Sequence, residues 1–94
     1  MKRLLALLTM ALLAAATPAG AQESLTQDQV AAYVAVVKAD HARDRGAKDE
    51  ATRLYRDAMD KYQAIARKYP EWHPDVVQYR LSYCQNEMAS LSAR

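Results

Sequence analysis

Two breaks interrupt a chain whose periodicity is helical everywhere else. The first is Arg43-Asp44-Arg45-Gly46, where basic side chains near a helix C-terminus are followed by a glycine able to take positive φ. The second is Tyr69-Pro70-Glu71-Trp72-His73-Pro74. Pro70 cannot continue a helix and pushes Tyr69 out of helical dihedrals, whereas Pro74 suits the first position of a new helix, with Asp75 behind it in the acid-favouring slot. Trp72, between the two prolines, is expected to fold its ring over the corner. With no alternation of strand type in the sequence, the class is all-α.

The breaks define three helices, expected at about residues 27–45, 48–69 and 74–92. Leu25-Thr26-Gln27-Asp28-Gln29-Val30 has the pattern of a helix start, with Thr26 as cap, Gln29 reaching back and Leu25 stapling onto Val30. Val30, Val34, Val37 and His41, widened by Tyr33 and Val36, form the apolar stripe expected to face the core. The second helix has Ala51, Leu54, Tyr55, Ala58, Met59, Tyr62, Ile65, Ala66 and Tyr69 on one side. Asp49, Arg53, Asp57 and Lys61 form a four-residue charge ladder on its solvent side. In the third helix Val77, Leu81, Cys84, Met88 and Leu91 recur at spacings of four and three, with Val76, Tyr79 and Tyr83 on a neighbouring track.

The N-terminus reads as a secretory leader: Met-Lys-Arg, the 13-residue apolar run Leu4–Ala16, then a small-residue site ending at Ala21. That run is shorter than the roughly 20 residues a spanning helix needs. Cleavage after Ala21 is therefore expected, leaving residues 22–94 as one domain in the periplasm or outside the cell, with no membrane span. Loss of Lys2 and Arg3 leaves 11 basic against 11 acidic side chains, so the mature chain carries no electrostatic footprint for nucleic acid. A lone cysteine, Cys84, excludes an internal disulfide, so packing, or another chain, must hold the fold.

The run GAKDEATRLYRDA, Gly46 to Ala58, resembles the middle of a tetratricopeptide (TPR) repeat, with Gly46, Ala51, Tyr55 and Ala58 at the turn and packing positions. Ala39 matches the small residue of the preceding helix. From Tyr55 to Cys84 the chain is similar to the repeat variant of exported bacterial cell-envelope proteins, in which a helix ends at Tyr-Pro and the next carries a Leu-small pair near a cysteine, here Leu81-Ser82 and Cys84. The resemblance implies a three-helix module, an antiparallel hairpin plus one helix, with Gly46, Ala51, Tyr55, Ala58, Tyr62, Pro70 and Pro74 as structural positions. The Ala39-to-Ser82 spacing exceeds the standard 34-residue repeat, and Lys38 occupies a place that is usually apolar.

The sequence contains no Gly-rich loop, nucleophile–base pair or carboxylate dyad, so the expected activity is binding and not catalysis, with no cofactor. Because no further helix follows the third, its apolar positions are expected to be half covered and to recruit a protein partner or a second copy. The expected interface is Trp72, Val77, Tyr79, Leu81, Tyr83, Met88 and Leu91. Six tyrosines and no phenylalanine are expected at helix rims, rings inward and hydroxyls outward. The alternatives are a metal- or haem-carrying bundle using His41, His73 or Cys84, although none has ligand spacing, or a remnant of a longer repeat protein.

Overall fold

The computed structural model describes residues 18–93. Within them lie three helices, α1 (Pro18–Asp44), α2 (Lys48–Lys68) and α3 (Pro74–Ser92), and no strand. The apolar run of the leader lies outside the described residues. No helix among the described residues is long and apolar enough to cross a membrane.

The expected start of α1 near Gln27 is incorrect. The helix continues without interruption from Pro18, through the expected cleavage point after Ala21. Thr26 does not cap. Its hydroxyl donates to the Gln22 carbonyl at 2.9 Å, the four-residue back-bond of a threonine inside a helix. The other boundaries fall within one residue of expectation, the usual uncertainty of helix ends.

At the first break, the Ala47 amide donates to the Ala42 carbonyl (2.9 Å) and the Gly46 amide to the Arg43 carbonyl (3.0 Å). This is the paired bonding of a Schellman ending, with Gly46 at φ +80 in the left-handed position. A Cβ on Gly46 would meet nothing within 4 Å, so glycine is required there by the dihedral and not by space.

At the second break, the Trp72 amide donates to the Tyr69 carbonyl at 3.0 Å, a tight turn with Pro70 in its favoured second place. Pro74 opens α3. His73, just before it, has φ 34, a left-handed conformation unusual for a residue with a Cβ. Its carbonyl still accepts the Val77 amide at 3.0 Å and so begins the α3 ladder. Trp72 is half-buried against the core, with its ring edge-on to His73 at 5.2 Å.

Both outer helices pack on α2. Its buried stripe, Ala51, Tyr55, Ala58, Tyr62 and Ile65, keeps the expected helical period. α3 contributes Val77, Cys84 and Leu91. α1 departs from expectation: its buried residues are Ala32, Ala35, Val36, Ala39 and Ala42. Of the stripe expected in the core, Val36 is buried, but the rest points outward, with Val30 54% and Val34 41% exposed, Tyr33 and His41 exposed and Val37 half-buried. Alanines carry little bulk, so α1 can approach the large tyrosines of α2 closely, which a valine stripe could not do.

Candidate interaction surface

Side chains from all three helices converge one turn before Gly46. The Tyr55 hydroxyl on α2 donates to Asp40 on α1 at 2.5 Å, and the Tyr83 hydroxyl on α3 donates to the same carboxylate oxygen at 2.8 Å. Arg43, one helical turn after Asp40, donates to both hydroxyls, at 3.3 and 3.2 Å, and lies 3.2 Å from Glu87 on α3. The two rings meet edge to face with centroids 6.2 Å apart. Arg43 is thus more than a helix-end charge. With the Tyr83–Asp40 bond, it ties α1 directly to α3.

This network corrects the expectation that the tyrosine hydroxyls point outward. Tyr55 is fully buried and its hydroxyl is satisfied inside the protein. Burial and the bond to Asp40 both disfavour ionisation, so the Tyr55 and Tyr83 hydroxyls titrate above the ordinary tyrosine range. Tyr62, also buried, is shifted the same way by burial. Arg43 is held more firmly protonated by its hydrogen bond to Tyr83, with Asp44 and Glu87 adding to the effect. Tyr69 remains at the rim, half-buried, with its hydroxyl 3.5 Å from Asp28, which also lies 3.8 Å from Lys68.

The expected interface residues separate into distinct groups. Val77 and Leu91 are buried in the chain's own core against α2, so neither is free for a partner. Leu81 and Met88 are partly buried on that core. Tyr83 belongs to the polar network. Tyr79 alone is openly presented, at 62% exposure. Trp72, with Tyr69, Val77 and Leu81, lines a cleft of about 150 Å³ between Pro70 and Pro74. That volume lies below the roughly 300 Å³ where small-molecule pockets begin, so the cleft suits at most a single side chain.

Beyond Tyr79, the exposed apolar surface that sequence reasoning missed is on the outward side of α1 and at the start of α3. The exposed large apolar residues among those described are Val30, Tyr33, Val34, Val76 and Tyr79, all on α1 or α3 and none on α2. Tyr33 and Tyr79 are brought together by Arg80, whose guanidinium carbon lies 5.0 Å from one ring centroid and 5.7 Å from the other. The signal was present in the sequence, because Ala32, Ala35, Ala39 and Ala42 recur at three, four and three, the same rhythm as the valines.

The alternative ligands are dispersed. His41 is exposed on α1, His73 stands at the corner and Cys84 is buried in α3. No three histidine, cysteine or acidic side chains are grouped as a metal site among the described residues. Burial first, and then the Asp40 charge, push the Cys84 thiol up to about 11. In native protein at pH 8 we therefore expect Cys84 to react with iodoacetamide at least about a hundredfold more slowly than in urea, where its thiol titrates near the free value of about 8.5. Equal rates in the two conditions, followed by mass spectrometry, would show the site to be open.

No protein-family model matches the chain, and no curated protein or solved structure does either.

Proposed function

We propose that this chain is a small exported TPR-like module that acts by binding protein, either another envelope component or a second copy of itself, and that the binding surface is the outward α1–α3 face. One observation carries this reading: the exposed large apolar side chains lie on α1 and α3, while α2 directs its apolar side inward. Scattered single exposures are normal on a folded protein, but Tyr33 and Tyr79, joined across two helices by one arginine and each preceded one turn earlier by an exposed valine, group apolar surface of the kind interfaces use. Burying such a patch removes apolar area from water without further folding cost, because both helices are already held by α2.

Site-specific photocrosslinking in the producing cell tests the reading. A benzoylphenylalanine at Val30 or at Tyr79 is expected to give a discrete heavier adduct. The same probe at Asp60, exposed on α2, is expected to give none. An adduct at twice the chain mass identifies self-association, and another mass identifies a different partner. No adduct from either face position, or equal adducts from all three, overturns the assignment.

A further inference from the structure

Three basic side chains among the described residues are withdrawn from full exposure: Arg43, Lys61 and Arg80. Two of them have counter-ions. Arg43 meets Asp40, Asp44 and Glu87, and Lys61 meets Asp57 at 3.1 Å. Arg80 has none, since no described carboxylate pairs with it and its neighbours are the rings of Tyr33 and Tyr79. Aromatic rings attract a cation through their quadrupole but do not neutralise it. A guanidinium stacked on rings also keeps its in-plane N–H edge, the fork that matches a carboxylate.

The surroundings are as informative as the charge. Tyr33 and Tyr79 are themselves exposed, Val30 stands three residues before Tyr33, and Val76 lies three and four residues before Tyr79 and Arg80. The uncompensated cation is therefore set in apolar surface instead of in a basic patch. Such a surface is complementary to an acid held among apolar neighbours and offers little to a highly charged ligand, which would leave the valines uncovered.

We infer that Arg80 is the anchor of the α1–α3 face and that the occupant is a polypeptide segment of a partner protein carrying an aspartate or glutamate flanked by apolar residues. The carboxylate takes the guanidinium edge while its apolar neighbours cover Val30, Val76 and the two tyrosine rings. This rests on the reading that the α1–α3 face binds protein and specifies what it binds.

Random 12-residue peptides displayed on phage and selected against the purified full chain provide the test. The enriched peptides are expected to share an acidic residue between apolar ones. Arg80→Gln is expected to weaken their binding by about tenfold or more, and Arg80→Lys by less, because lysine keeps the charge and loses the fork. Changing the peptide acid to its amide is expected to cost the same against the wild-type chain and nothing further against Arg80→Gln. Circular dichroism melts of both variants establish that they fold. Enriched peptides without a common acid, or equal affinity for a folded Arg80→Gln chain, overturn the anchor role. If those same peptides still lose binding to a Val30→Ser, Val76→Ser double variant, the face stands and only the anchor falls. If the double variant binds them unchanged, the face itself is wrong.

Discussion

Tyr55→Ala is expected to leave the chain largely unfolded at room temperature. Tyr55 is the largest fully buried side chain, at the centre of the α2 stripe, and its hydroxyl holds Asp40. Removing a buried aromatic ring costs about 3–5 kcal/mol. A single core of this size seldom supplies more than about 3–5 kcal/mol of net stability, so one substitution consumes the margin. Tyr55→Phe separates packing from polarity: it keeps the ring and loses the bond to Asp40, which still accepts from Tyr83, for an expected loss of about 1–2 kcal/mol. Urea titrations followed by circular dichroism read both effects, and a Tyr55→Ala chain melting like the parent would remove the tyrosine from the centre of the fold.

The same hydroxyls predict an alkaline limit. Their pKa values are raised in the folded state by burial and by Asp40, so folding favours the protonated phenol. The associated stability is fully present below the unfolded tyrosine value of about 10 and falls as pH rises from there toward the folded value. Stability should therefore decline above about pH 10, less steeply in Tyr55→Phe. An equal decline in parent and variant would show that Tyr55 contributes nothing to the alkaline limit.

The second large effect concerns which side of α1 is the core. Ala39→Leu forces a branched side chain into a position with no exposed surface, where overpacking costs typically about 1–3 kcal/mol and α1 must move away from α2. Val34→Ser, five residues earlier and outward, should change stability by no more than about 0.5 kcal/mol. By size and hydrophobicity alone the ranking would be reversed, since valine is the better core residue. Thermal melts of the two variants decide the matter, and greater damage from Val34→Ser would return the valine stripe to the interior.

Much of the architecture could be read before any coordinates. Gly46 and the prolines at 70 and 74 act within a few residues of themselves, through allowed dihedrals and missing donors, so their effects were legible locally. The α2 stripe was legible because only one side of that helix is apolar. α1 was ambiguous because it has two apolar stripes of equal period, one of alanines and one of valines and Tyr33, and periodicity cannot choose between them. The Asp40–Arg43–Tyr55–Tyr83–Glu87 network was hidden for a different reason. Its members are up to 47 residues apart, and nothing in their spacing marks them as neighbours.

The amino-acid sequence alone therefore determined where the chain turns, how many helices the described residues make and which side of α2 is apolar, because each depends on chemistry within a turn or two. Only the tertiary structure decided which side of α1 is covered and that Arg80 has no counter-ion among the described residues. Both depend on how closely helices approach and on which distant side chains that approach brings within reach, quantities that no local pattern contains.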